Sequence, residues 1–293
     1  MNYKVIGPSI ICLLWWLGAI YTAEPAGGSD KTKTEDEAKA LTDEAYQNTK
    51  NSKSYQMTVK IVMEVRHPDT TIYNAESNLK AIVKNPTQGD ESKRDETEIY
   101  VTGESNILDR KNTIEMYNKG KQMVAKDPAN DRWQRTTETK PLFDEIEKLK
   151  NAIDSAKPTG EEPVNNIICQ TIELTFNIKA VNKLMGEQNL FIPEDVPLKL
   201  EKIQGKVWVG KDDKLIYQMA AVIVATAEVS EEPATPPVPG TNPDSHRDKT
   251  EKVTMKVQMQ FTFSDYGKNL EIKIPPEAKK LLETKREETP KQK

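Results

Sequence analysis

One stretch of the chain alternates between apolar and polar side chains over twelve residues without interruption. It reads VTMKVQMQFTFS and spans residues 253–264. Because successive side chains of a β-strand point to opposite faces of the sheet, the pattern predicts a long strand with one apolar and one polar face. The apolar face has to be covered by the protein's own core or by an apolar ligand. The fold around the strand therefore bears directly on function.

The same alternation recurs along most of the chain. It is clearest in SYQMTVKIVMEVR (residues 54–66), in TIYNAESNLKAIVKN (71–85) and in the two strands predicted within 197–229. Turn residues at Asn118–Gly120 and Gly210–Lys214 predict tight connections between neighbouring strands. Counting the shorter segments, the sequence predicts about eleven strands, mostly linked by hairpins.

Helical patterns are few. Thr34 and Glu37 form a capping box at the start of a helix predicted over about residues 35–50. A second, amphipathic helix is predicted over 140–157, ended by Pro158 and Gly160. Shorter helices are predicted at 179–186 and 276–283. The apolar face of the second helix consists of Leu142, Phe143, Ile146, Leu149 and Ile153.

Together these elements predict an α+β fold in a single domain over residues 34–283. Its core element is a large, strongly curved antiparallel sheet with helices collected on the concave side. Residues 230–249 are rich in proline and predict a disordered hairpin tip. Residues 24–33 and 284–293 are expected to be a flexible leader and a charged tail.

The N-terminus carries an export signal. An uncharged run extends from Val5 to Ala23 behind Lys4. The run is longer than the apolar core of about 7–15 residues in a signal peptide, and it reaches the about 17–25 residues of a membrane span. Two alternatives follow, a signal peptide cleaved after Ala23 and an uncleaved membrane anchor. Cys12 lies within the run without a lipoprotein-type context, so lipidation there is not expected.

Motifs for catalysis or metal binding are missing from the sequence. It has two histidines, His67 and His246, neither at ligand spacing from another ligand type, and it contains no phosphate-binding loop or nucleophile elbow. The net charge of −4 argues against nucleic acid as a partner. Cys169 is predicted to be a small buried apolar residue. We therefore expect a protein that is not an enzyme and holds no cofactor or metal.

The remaining signal is the composition of the apolar strand faces. Met57, Met63, Met219, Met255 and Met259 all fall on these faces, and methionine is a soft side chain that adapts to irregular apolar partners. Alanines lie among them and leave volume beside the sheet. That volume is either filled by the covering helices as an ordinary core or left open as a cavity.

Two C-terminal stretches resemble a known group of proteins. Residues 205–219, GKVWVGKDDKLIYQM, and residues 261–278, FTFSDYGKNLEIKIPPEA, are similar to a hairpin and a closing strand of LppX/LprA/LprF/LprG-type lipoproteins and related LolA-like exported proteins. The order of predicted elements over nearly the whole exported chain is also similar. The chain departs from the lipoproteins of the group because it has no lipobox cysteine.

The resemblance implies an open, incomplete β-barrel with a hydrophobic cavity between sheet and helices. It implies an extracytoplasmic monomer, secreted or membrane-tethered, that binds or carries lipids or acylated molecules such as lipoproteins or glycolipids. The same scaffold could instead serve as a sensor or protein-interaction module without cargo. Under the carrier interpretation, the cavity is lined by Met57, Val59, Ile61, Met63, Tyr73, Leu79, Met219, Ala221, Ile223, Met255, Val257, Met259 and Phe261. The lid or plug would be the helix with Leu142, Phe143, Ile146 and Leu149.

Overall fold

The computed structural model describes residues 33–67, 70–85, 97–107, 110–120, 122–136, 152–182, 198–230 and 250–283. Its main element is one antiparallel sheet of eleven strands. The strands are β1 (Ser54–His67), β2 (Thr70–Lys84), β3 (Glu98–Ile107), β4 (Arg110–Lys119), β5 (Gln122–Lys126), β6 (Trp133–Arg135), β7 (Ile153–Val164), β8 (Ile167–Phe176), β9 (Leu198–Gly210), β10 (Ile216–Ser230) and β11 (Thr250–Ser264).

The order of the strands in the sheet is β6-β5-β4-β3-β2-β1-β11-β10-β9-β8-β7. Each strand thus lies beside a neighbour in sequence, and the pairing of β1 with β11 joins the two halves. The edge strands are β6 and β7, so within the described residues the sheet is open. This confirms the predicted antiparallel, incomplete barrel of about eleven strands.

The register places the alternating apolar residues on one face. Val59 on β1 lies opposite Phe261 on β11, and Phe261 lies opposite Met219 on β10. Ile61 and Met259 form the next matching pair. All of these side chains are buried in the largest core cluster of the molecule. We call the face that carries this cluster the inner face.

Helix α1 (Lys33–Lys50) packs on the inner face, mainly against β7 and also against β9 and β10. Its C-terminal end is fixed to the β9–β10 turn by two hydrogen bonds. The Asn48 side chain donates to the Lys214 carbonyl over 3.3 Å, and the backbone N–H of Ile216 donates to Thr49 Oγ1 over 3.0 Å. The helix predicted from the capping box at residues 34–37 is therefore confirmed.

Helix α2 (Pro276–Glu283) packs on the other face of the sheet, against β5 and β6. Its buried residue Ala278 contacts a cluster that includes Tyr117 and Val124. Tyr117 follows Met116, whose side chain lies in the inner core, so strand alternation turns Tyr117 outward. The expectation that the helices collect on the concave side holds for α1, whereas α2 covers the outer face.

The predicted helix over 140–157 is wrong at its C-terminal end. Residues from Ile153 onward form β7, which continues through Pro158 and Gly160. β7 is an edge strand with β8 as its single neighbour, and proline is tolerated at an edge because its missing N–H has no partner to lose. The register shifts between Pro158 and Gly160, and Gly160 has φ 134°. The rest of the predicted helix, including 142–149, lies outside the described residues.

Several connections are as predicted. Gly120 and Lys214 have positive φ values of 57° and 53° in the β4–β5 and β9–β10 turns. A helical segment begins at residue 178 after Asn177, whose side chain accepts a hydrogen bond from the backbone of Ala180. None of the helices in the described ranges is long and apolar enough to span a membrane. The predicted N-terminal signal, the Pro-rich segment after Ser230 and the tail from 284 are outside those ranges.

Candidate functional site

The candidate wall residues predicted on strands all lie on the inner face. The buried ones are Val59, Ile61, Met63, Tyr73, Leu79, Met219, Ala221, Ile223, Val257, Met259 and Phe261, and Met57 and Met255 are partly buried against them. One continuous apolar surface therefore crosses the central strands. Leu142, Phe143, Ile146 and Leu149, predicted to form the lid, lie outside the described residues.

Burial differs between the two halves of the inner face. Beneath α1, the strands β8 and β9 contribute fully buried side chains, among them Ile172, Val207 and Val209. Six inner-face side chains of the other half are only partly buried. They are Met57 and Val65 on β1, Ile99, Val101 and Ile107 on β3, and Met255 on β11. We call this half, formed by β11, β1, β2 and β3, the partly covered wall.

Small residues lie within the partly covered wall. Ala75 and Ala81 occupy inner positions on β2, and Gly103 lies opposite Leu79 of β2. The hydroxyl groups of Ser77 and Ser105 are buried and hydrogen-bonded to each other over 2.8 Å. Ala75 and Ala81 are nearly fully buried, and a Cβ on Gly103 would overlap the backbone oxygen of Asn78, so β2 and β3 are closely packed at these positions.

Tyr73 brings a polar group to the same wall. Its ring is buried, and its hydroxyl has no hydrogen-bond partner in the part of the chain that the structure describes. Burial raises the pKa of this hydroxyl, so it stays protonated and able to donate. Tyr73 lies opposite Val65, which in turn lies opposite Met255. An unused donor thus adjoins the partly buried apolar side chains. A buried donor without a partner is costly unless a ligand supplies the acceptor.

Aromatic rings gather at one end of the sheet. Tyr55 lies 5.8 Å from both Phe263 and Tyr266, and Tyr266 lies 5.6 Å from Tyr217, measured between ring centroids. The Tyr266 hydroxyl donates to the carbonyl of Ile216 at the start of β10. We call this the aromatic end. The Tyr217 hydroxyl donates to the Asp213 carboxylate over 2.6 Å, so the rings of the aromatic end and these two hydroxyls serve the protein's own packing.

The outer face has a separate cluster around Cys169. This residue is buried with Val164 and Trp208, and burial raises the pKa of its thiol to about 11. Glu162 accepts hydrogen bonds from Lys206 over 2.8 Å and from Trp208 Nε1 over 2.7 Å, and these bonds lower the pKa of its carboxyl group. The prediction that Cys169 is a buried structural residue is confirmed.

Metal binding receives no support within the described ranges, where no group of three or more His, Cys, Asp or Glu residues is placed to hold an ion. The polar residues that sequence reasoning missed are Tyr73, through its hydroxyl, and the Ser77–Ser105 pair. Alternation gives the face on which a residue lies, and it does not show whether a hydroxyl finds a partner there.

No family model matches the sequence, and no curated protein matches it. The structure is similar to that of LprF from Mycobacterium bovis, with 12% identity and a TM-score of 0.44 over 84% of this chain and 99% of that one. It is also similar to the Mycobacterium tuberculosis lipoprotein LppX, with 12% identity and a TM-score of 0.40 over 81% of this chain and 99% of that one. A LolA superfamily protein from Nitrosomonas europaea has 13% identity and a TM-score of 0.23 over 78% of this chain and 92% of that one. These structures include proteins of the group that the two C-terminal stretches resemble.

Proposed function

We propose that this chain is an extracytoplasmic binding or carrier protein, not an enzyme, that holds a lipid or acylated molecule on the partly covered wall. The observation that carries the proposal is the unequal cover of one continuous apolar face. Helix α1 packs against β7, β9 and β10, whereas apolar side chains on β11, β1 and β3 remain partly buried. An acyl chain laid along them would complete their burial.

The wall offers enough free energy for this task. Burying an acyl chain gains about 0.8 kcal/mol per methylene, so one long chain gains on the order of 10 kcal/mol before the costs of association. The partly buried side chains of the wall are methionine, valine and isoleucine, which contact an apolar chain without fixing its shape. We therefore expect discrimination among chain lengths to be loose.

Tyr73 would give the cargo an orientation. Its unpartnered hydroxyl can donate a hydrogen bond to the carbonyl of an ester, an amide or a carboxyl group. Since this donor lies beside Val65 at the His67 end of β1, the polar end of the cargo would lie there. The acyl chain would then extend along β1 towards the aromatic end.

The first test is native mass spectrometry with organic extraction. The protein, as a chain beginning at residue 30, is produced with its native membrane present and purified without detergent exchange. We expect a stoichiometric lipid adduct whose identity gives the cargo class. A bare mass that stays unchanged after incubation with host lipids contradicts the proposal, and it would leave the sensor or interaction module as the function of a filled scaffold.

A pair of variants tests the location of the cargo. Met255→Lys places a charge on the partly covered wall, whereas Gln258→Lys adds the same charge at an exposed position on the same strand. Because a buried ammonium loses hydration, we expect Met255→Lys to weaken binding of a fluorescent fatty acid about tenfold or more. Gln258→Lys should bind it like the wild type. Equal affinities of the two variants would place the cargo elsewhere.

A further inference from the structure

A cleft of about 640 Å³ lies at the aromatic end of the sheet, at the opposite end of the strands from Val65 and Met255. It is lined by the ends of several strands that are distant in sequence. Lys53 precedes β1, Lys84 ends β2, Lys119 ends β4 and Lys268 follows β11. The acidic residue in this lining is Glu98 at the start of β3, so four lysines face one carboxylate.

Two of these lysines have no counterion in the described part of the chain. Lys119 is paired with Glu98 over 3.1 Å, and Lys268 is paired with Asp265. Lys53 and Lys84 form no ion pair with a described residue. The cleft is therefore locally positive in a protein whose net charge is −4. A local excess of this kind attracts an anion although the whole molecule is acidic.

The β7–β8 hairpin presents an apolar tip at the same end. Ile167 and Ile168 are 38% and 51% exposed, and they are the large apolar side chains that stand out as exposed in the described ranges. They follow Asn165 and Asn166, whose φ values of 50° and 65° make the tight turn. These two neighbouring isoleucines place apolar surface in water at the hairpin tip, where a partner can contact it.

The strand register shows that the cleft and the tip share one end. Cys169, just after the tip, lies opposite Gly210 at the end of β9. Ser264 at the end of β11 lies opposite Gln56 at the start of β1, beside the cleft. The Asn165 side chain also donates to the carbonyl of Phe263 over 3.5 Å. Lysines and exposed isoleucines thus lie together at the aromatic end.

We propose that the aromatic end of the sheet docks on a bilayer that contains anionic lipids, with the lysine cleft binding a lipid phosphate and Ile167 and Ile168 entering the interface. Lysines near an anionic surface and a few inserted apolar side chains are complementary to the two layers of a bilayer surface. The docking surface lies at the opposite end of the strands from Tyr73, Val65 and Met255 of the proposed function. A docked molecule would hold the His67 end of the wall away from that bilayer.

The test measures co-sedimentation of the full exported chain with vesicles. The probes are vesicles of phosphatidylcholine alone and vesicles that also contain phosphatidylglycerol, at low and at physiological salt. Residues 86–96 stand between Lys84 and Glu98 in the sequence and carry four acidic and two basic residues. The full chain is used so that these charges are present in the assay. We expect binding to the anionic vesicles that weakens as salt screens it.

Three variants locate the surface. Lys53→Gln with Lys84→Gln should weaken binding to anionic vesicles roughly 20-fold, and Ile167→Ser with Ile168→Ser severalfold. The matched control replaces Lys157 and Lys202, exposed lysines on β7 and β9, with glutamine. It changes the net charge equally and should bind within about twofold of the wild type. Melting temperatures of all variants should stay close to that of the wild type.

Three results would overturn the docking surface. The first is a wild type that binds both kinds of vesicle equally well. The second is an equal loss of vesicle binding in the Lys53, Lys84 variant and in the Lys157, Lys202 control. The third is unchanged vesicle binding in the Lys53, Lys84 variant or in the Ile167, Ile168 variant. Calorimetric binding of inorganic phosphate in the absence of vesicle binding would also overturn it. Uptake of the fluorescent fatty acid by the lysine variant should equal that of the wild type, so failure here is distinguishable from failure of the proposed function.

Discussion

Truncation of Phe261 tests whether the centre of the inner face is packed. Phe261 is 1% exposed and lies between Val59 on β1 and Met219 on β10. A side chain with neighbours on every side leaves a cavity when it is removed, and Phe→Ala changes in such sites cost about 3–5 kcal/mol. For a domain of this size, that loss corresponds to a melting temperature lower by roughly 10 °C.

The assay is urea denaturation of delipidated protein at equilibrium. We expect the Phe261→Ala midpoint to fall while the slope with urea stays constant, because a change in slope would report a different denatured or native state. Gln260→Ala, on the polar face of the same strand, is the control and should change stability by less than about 0.5 kcal/mol. A loss below about 1.5 kcal/mol for Phe261→Ala would refute the reasoning. The ring would then face open volume rather than packed neighbours.

Three further results are expected. Gly103→Ala should destabilise by about 2 kcal/mol in urea titrations, because its Cβ would overlap the backbone oxygen of Asn78. Gly205→Ala should cost less, because its Cβ would lie 3.3 Å from a ring carbon of Phe176, and a side chain yields more easily than backbone. The pKa of Glu162 is lowered in the folded protein, so its contribution to stability is present above its unfolded pKa and is lost as pH falls through the folded pKa. Glu162→Gln should therefore weaken the dependence of the urea midpoint on pH between about pH 5 and 3. Tyr73→Phe should keep the stability of the wild type, because the hydroxyl has no partner among the described residues. Under the proposed function it should bind a fatty acid roughly threefold to tenfold more weakly, because the hydrogen bond to the cargo is lost.

The sheet could be predicted from the sequence because one face of each long strand is buried. Under that condition a one-residue slip would expose every apolar side chain, so the alternation in 54–66 and 253–264 fixes both the strands and their faces. The pairing of Val59 with Phe261 is a matter of register, which the alternation alone does not give. The first helix was predictable for a local reason, since the Thr34–Glu37 pattern that indicates a helix start lies within four residues, although the helix begins slightly earlier, at Lys33.

The errors have both local and long-range causes. The helical spacing of three and four residues continues from Leu149 to Ile153 by coincidence, and Pro158 reads as a helix end unless the strand is known to lie at an edge. The side of the sheet covered by α2 depends on an outer cluster around Tyr117. The lysine cleft was not predictable, because strand ends far apart in sequence bring Lys53 and Lys84 together only once the register is known.

The wall and the docking surface should act independently, because they lie at different places on the same long strands. Met255 and Ser264 are nine residues apart on β11, a separation of about 30 Å. Effects at sites so far apart usually add within about 0.5 kcal/mol. Met255→Lys should therefore weaken fatty acid binding by the same factor in the wild type and in the Lys53→Gln, Lys84→Gln background, measured with and without anionic vesicles. A factor that changes tenfold on vesicles would contradict independence, and it would mean that contact with the bilayer alters the wall and so controls release of the cargo.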